Sequence, residues 1–427
     1  MSFFASTSRV LSEKQSLFWK FFPFWMFMLF YKFAGAVHYS LISPYGERLL
    51  PLWIVGLLMG GSSVIQLLLD VPAGRIMDRF GYLKFLKITT FLFLLAGLFL
   101  LFGLNEFTYY GSLLLATFGW LFFGPGNIAY ALAKAPAGQA GRFISTKDTF
   151  SSIGVVLSSA SLPLILVLPP QIVGWILTVF FILSLAFLYW SPADEQSKRA
   201  PLPAESFYKK REPLGKVIKA LGRLNPASGM LLLSGISSGI FYGTIWFVIP
   251  LVILTHASSG LLGLGLGIFD FSIVVLGYVL GTLADRANKR SLVFFGLLTF
   301  ALAGILVSFN LSWLFLLFGF IATAGDELAS LALWSWLHTL DKKHANDGAI
   351  SGVINLFSDL GWAIGPIMAG FLYVLVGPSW TILVGALPAA LVWIIYEFLM
   401  HKHKHAPLAP GQVKVIPPKP YRARHRT

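Results

Sequence analysis

Long apolar runs separated by short polar connections fill most of the chain. About 20 mostly apolar residues in a helix cross the hydrocarbon core of a bilayer. Twelve runs reach that length, at 18–42, 52–73, 85–104, 109–133, 149–167 and 172–190 in the first half and at 228–254, 261–284, 291–309, 313–339, 349–375 and 381–400 in the second. The fifth and sixth are parted only by the breaker pair Pro169-Pro170. The pattern predicts an all-α membrane protein of twelve transmembrane helices.

The polar connections are not equivalent. Thirty of the 32 Lys and Arg residues fall in the two tails or in the connections after helices 2, 4, 6, 8 and 10, with Lys20 and Lys87, at the edges of their apolar runs, counted with the adjoining tail and connection, and Lys147 in the connection after helix 4. Cytoplasmic connections carry this excess, so both termini are expected in the cytoplasm, with the chain in a prokaryotic-type plasma (inner) membrane. The two exceptions are Arg48, in the first opposite connection, and Lys32, inside helix 1.

Composition agrees with that picture and closes off others. The 427 residues are 56% hydrophobic and only 12% charged, where soluble domains carry about 25% charge. The net charge of +14 does not indicate nucleic acid, because the basic residues lie between apolar runs and not on one soluble face. There is no cysteine, which excludes disulfides, thiolate metal sites and iron–sulfur ligation. No Walker-type lysine is present, and the glycine run Gly260, Gly263, Gly265, Gly267 opens an apolar helix with no strand before it, so it reads as a helix-packing surface. His401-Lys-His-Lys-His405 has no accompanying carboxylate and reads as a basic tail drawn to anionic membrane lipids. No metal or cofactor is expected.

The chain also repeats itself. Gly74-Arg-Ile-Met-Asp78-Arg79-Phe-Gly81 after helix 2 matches Gly281-Thr-Leu-Ala-Asp285-Arg286-Ala-Asn288 after helix 8, at an offset of 207 residues. Phe150-Ser151-Ser-Ile-Gly154 matches Phe357-Ser358-Asp-Leu-Gly361 at the same offset. Two matches at one spacing indicate duplicated halves in the same orientation. Gly81 aligns with Asn288, two residue types that enter the left-handed region readily, so a tight turn is expected in both halves. The expected organisation is an N-terminal six-helix bundle (1–190), a polar linker (191–225) with a surface helix near 214–224, a C-terminal six-helix bundle (226–400) and a basic tail (401–427).

The run Gly74, Asp78, Arg79, Gly81 and Lys84 resembles the loop signature of the major facilitator superfamily, and Gly281, Asp285 and Arg286 resemble a weaker copy. Tyr82 stands where that family usually has a basic residue, and the Gly-Pro pair at Gly365-Pro366 lies in helix 11 where the family's exporters carry one in helix 5. The resemblance implies two parallel-repeat six-helix bundles rocking around a central site, with helices 1, 4, 7 and 10 lining it. It also implies that Asp78 and Arg79 clamp neighbouring helix ends in one state and release them in the other.

Charged groups inside spans are costly and mark function. Lys32, about 13 residues or roughly 20 Å into helix 1, and Asp326-Glu327, equally deep in helix 10, are the first candidates for substrate binding or proton coupling. His38 is a candidate proton acceptor. Asp270 and Asp359 rank second, and Asp70 is assigned to the charge cluster after helix 2. Tyr242, Trp246 and Trp334, with Trp336, are candidates for stacking on an organic substrate. The expectation is a monomeric, proton-coupled secondary transporter of a small organic molecule, with efflux favoured. The alternatives are a sugar or metabolite symporter and, outside transport, a membrane sensor, a lipid-handling protein or a membrane-embedded enzyme.

Overall fold

The computed structural model describes residues 2–136, 140–193, 226–255, 264–309, 313–340 and 347–402. These form eleven helices: α1 (Ser2–Glu47), α2 (Leu52–Phe80), α3 (Tyr82–Leu100), α4 (Glu106–Lys134), α5 (Ala140–Val167), α6 (Pro170–Trp190), α7 (Pro226–Thr255), α8 (Gly267–Arg286), α9 (Lys289–Ser308), α10 (Trp313–Leu340) and α11 (Asp347–Lys402). The last is not one rod. Gly377 has φ +80° and ψ 175° and is followed by Pro378, so α11 breaks into a leading and a trailing limb. Twelve rods therefore cross the membrane. Ten described stretches are long and apolar enough to do so, and one of them, Asn355–Leu399, contains both limbs. α1 completes the set, its mean hydropathy lowered by Lys20, Lys32 and His38. The linker beyond 193, with its expected surface helix, and the tail beyond 402 lie outside the described residues.

Local chemistry sets the helix ends. Gly81 alone separates α2 from α3, with φ +95°, a conformation that favours glycine. Its repeat mate behaves differently. Asn288 has φ −65° and caps α9, its side chain accepting from the Arg290 amide at 3.0 Å. The expected left-handed turn is thus confined to the first half, because an asparagine can close the turn by capping. Asn105 and Thr108 form a reciprocal capping box at the start of α4. Large apolar side chains such as Leu68, Leu164, Trp175, Val374 and Phe398 point outward. Exposure of that kind suits lipid and not water.

The duplication is visible in packing. An added methyl at Gly154 of α5 would strike the backbone of α1 at Leu29 and Phe33, and one at Gly361 of α11 would strike α7 at Ile236 and Ile240. All three pairs of equivalents are 207 residues apart, so the same glycine admits the same close helix crossing in each half. Between the halves, α2 packs along α11 and α5 along α8. These two seams enclose a space walled by α1, α4, α7 and α10 and equally by the seam helices α2, α5, α8 and α11, a broader lining than the family resemblance implied.

Candidate functional site

That space is a cavity of about 440 Å³ at mid-depth between the halves. α1 turns Met28, Lys32, Ala36 and Tyr39 towards it, a spacing that keeps them on one helical face. Seven lysine and carboxyl side chains reach the wall: Lys32, Lys147, Asp148, Asp270, Asp326, Glu327 and Asp359. Carboxylates outnumber lysines five to two.

Each lysine already has neighbours. The Lys32 ammonium lies 5.0 Å from the ring centre of Trp120 and 5.1 Å from that of Phe123, both on α4. Cation–π contact of this kind contributes about 2 kcal/mol where water is excluded. Lys147 pairs with Asp148 at 2.7 Å and donates to Asn127 Oδ1 at 2.9 Å. Here the structure corrects the sequence reading, which counted Lys147 among the basic residues of a connection. α5 begins nine residues earlier than the apolar run, at Ala140, so Lys147 and Asp148 are two turns inside it. The signal was present in the polar positions Lys147 and Ser151, one helical turn apart on a face that continues into the apolar run.

Asp270 on α8 accepts from Ser152 Oγ of α5 at 2.7 Å and ties that seam together. Asp326 and Glu327 face the cavity from α10, and Glu327 Oε1 is buried with no hydrogen-bond partner among the described residues. Thr323 Oγ1 and Asn355 Nδ2, also in the wall, are in the same condition. Buried polar atoms left open in this way favour an occupant that can bond to them. Asp359 lies on α11 beside Asp70 of α2. Asp70 is almost fully buried and does not belong to the loop cluster to which its position in the chain assigned it.

The aromatic candidates divide. Tyr242 and Trp246 line the cavity from α7. Tyr39 meets Trp246 and Trp362 edge-on, each with ring centres 5.7 Å apart. Beyond this cluster Ser43 Oγ donates to the Phe247 carbonyl at 3.3 Å, so α1 and α7 are in contact on the side away from the basic connections. On the other side the cavity continues into a second space of about 260 Å³, shared by Lys32, Lys147, Asp148 and Glu327 and reaching Trp334. Trp334 belongs to this antechamber and not to the main chamber, and Trp336 packs against the apolar core.

His38 does not join the site. Six residues after Lys32, it points about a third of a turn away and lies inside the first bundle, with Nε2 2.8 Å from Ser112 Oγ of α4. The loop residues are also remote from the cavity. Tyr82, at the position the family usually fills with a basic residue, donates to Asp78 Oδ1 at 2.6 Å. Arg79 and Lys84 lie over the Phe80 ring, and in the second copy Asp285 Oδ1 accepts from Ser335 Oγ at 3.4 Å while Arg286 is exposed. Gly74 and Gly281 are buried.

Comparison with known proteins bears on the whole chain. The family model described as Major Facilitator Superfamily matches residues 17–236 and 231–425. Mouse protein spinster homolog 3 is 30% identical over 135 residues, 29% of this chain and 26% of that protein, so the chain spans about a quarter of the curated relative it matches. Among solved structures, the human organic anion transporter MFSD10 (TETRAN) superposes with a TM-score of 0.68 at 15% identity, covering 88% of this chain and 98% of that one. The E. coli fucose:proton symporter FucP gives 0.57 at 15% identity, covering 89% and 99%. At such identities the structural likeness shows the fold.

Proposed function

The chain belongs to the major facilitator superfamily, and we propose that it is a proton-coupled secondary transporter that moves a small organic molecule by alternating access. The observation that carries this reading is the mid-depth cavity between the two halves, walled by five carboxylates and two lysines. Carboxylates held close together in a low dielectric are readily protonated, and a bound proton or a bound substrate can satisfy the same groups. The excess of acid favours a substrate that brings positive charge or hydrogen-bond donors. The rings of Trp120, Phe123, Tyr242, Trp246 and Trp362 favour one with an apolar body.

The same wall supports efflux as the direction, since an aromatic and aliphatic lining suits molecules that partition into lipid. The basic connections support an orientation with both termini in the cytoplasm. One chain encloses the whole cavity, which supports a monomer as the working unit. The purified protein in proteoliposomes, given an imposed pH gradient and a panel of organic cations, amines, sugars and organic anions, tests the reading. Gradient-driven flux of one class is expected, with Asp326→Asn and Glu327→Gln folding normally and losing the gradient dependence. Flux that ignores the gradient in the natural sequence, or gradient dependence that survives both substitutions, overturns it.

A further inference from the structure

Outside the acid cluster of α8 and α10, one pair of carboxyls stands apart. Asp70 lies on α2 and Asp359 on α11, so each half of the molecule supplies one member. They meet in the half of the α2–α11 seam nearer the basic connections, ten residues before the end of α2 and twelve after the start of α11. Asp70 is 1% exposed, and neither of its oxygens is reached by an N–H or O–H donor among the described residues. The group facing it is the other carboxyl.

Two ionised carboxylates are acceptors only, and cannot bond to each other. A buried anion without a donor or a counter-charge is costly, and two facing each other more so. The arrangement becomes a hydrogen-bonded one when a single proton is shared between them, as in other carboxyl dyads. We propose that Asp70 and Asp359 form a one-proton binding site across the α2–α11 seam, and that the bound proton latches the two halves together on the side of the basic connections. Loss of the proton sets two anions against each other across the seam and drives it open.

The neighbourhood leaves this role to the pair. From α4, which packs on α2, the cavity wall receives Trp120, Phe123, Gly124, Asn127 and Ile128, none of them charged. α1 brings the neutral Tyr39 near Asp359. α3 carries Lys84 and Lys87, which lie over Phe80 and Tyr189, and on α2 itself the next ionisable groups are Arg75, Asp78 and Arg79 towards the basic end. α7, packed along α11, brings Tyr242 and Trp246 to the wall and no charge. Asp359 also lines the cavity, so the proton has an aqueous route to the pair from within. The latch deepens the transporter reading by naming where a proton acts on conformation, but its test needs no substrate.

The natural sequence has no cysteine, so Trp190→Cys on α6 and Ser291→Cys on α9, both exposed and at the basic ends of opposite halves, give one spin-label pair. In lipid nanodiscs of phosphatidylethanolamine and phosphatidylglycerol, raising the pH from about 5 to about 8 is expected to shift the narrow-to-wide population ratio by about tenfold, the effect of one displaced proton equilibrium. Asp70→Asn and Asp359→Asn each place a permanent donor in the pair. Each is expected to remain narrow, with a change below about twofold. A parent that ignores pH overturns the latch, as do two folded single variants that both keep the parent's response. Gradient-driven flux alongside unresponsive distances removes the latch and leaves the transporter reading intact. A pH response lost in both variants, with no flux of any solute, keeps the latch and counts against the transporter.

Discussion

The two seams that join the halves are counterparts under the 207-residue offset, and they are not built alike. In the α5–α8 seam, Ser152 donates to Asp270, a complete hydrogen bond that needs nothing from outside. In the α2–α11 seam, the equivalent positions are Asp359 and Ser63, so carboxyl and hydroxyl have changed sides. The real departure is seven residues, about two turns, further along the same helices. Gly277 of α8, packed against the hydroxyls of Thr149 and Ser145, has Asp70 as its mate on α2. The halves share a backbone geometry, and a carboxyl at the place of a glycine gives the α2–α11 seam alone the acid pair proposed above to bind a proton.

The largest expected effect separates the seams by what each glycine touches. A methyl at Gly56 would lie 2.6 Å from the Pro366 carbonyl oxygen and 3.1 Å from Gly370 Cα, backbone that cannot step aside. A methyl at Gly277 would meet Thr149 Oγ1 at 3.0 Å and Ser145 Oγ at 3.3 Å, side chains that can rotate. Gly56→Ala should therefore destabilise by about 1–3 kcal/mol and Gly277→Ala by less than about 1 kcal/mol, measured by thermal unfolding in detergent. Equal losses would erase the distinction between a backbone-tight seam and a side-chain-cushioned one.

Next in size is Asp270→Ala, which leaves the Ser152 hydroxyl without its acceptor and should cost about 1–2 kcal/mol. Asp270→Asn keeps an acceptor and should cost less than half as much; a reversed order would mean that the charge, and not the bond, holds this seam. The smallest effect is expected from Ser152→Ala. Asp270 then turns to cavity water, and the loss should be about 0.6 kcal/mol, typical of a membrane-buried hydrogen bond. A loss several times larger would show that α5–α8 relies on this one contact.

The sequence made the fold legible because lipid leaves so few options. Apolar runs of fixed length, basic residues on alternate connections and one constant offset identify twelve spans in two repeats. The site was partly legible for the same reason: Lys32, Asp270, Asp326, Glu327 and Asp359 are conspicuous because charge inside a span is expensive, and the structure brings all five to one cavity. Lys147 and Asp148 were missed because a helix that starts in polar residues gives no apolar signal for its first turns. Asp70 was misread because position along the chain does not reveal which face of a helix a residue occupies. His38 was drawn in by its chemistry, while six residues of helical rotation carried it away from Lys32.

The join between the last two rods has a mechanical consequence. A single residue, Gly377, stands between the limbs of α11, where a longer loop would absorb displacement. The leading limb carries Asp359. The trailing limb is tethered to α9, with Tyr396 Oη donating to the Arg290 carbonyl at 2.8 Å. So short a join leaves little chain between the limbs to take up slack, and a tilt begun at the leading limb is passed to the trailing limb and, through Tyr396, to α9.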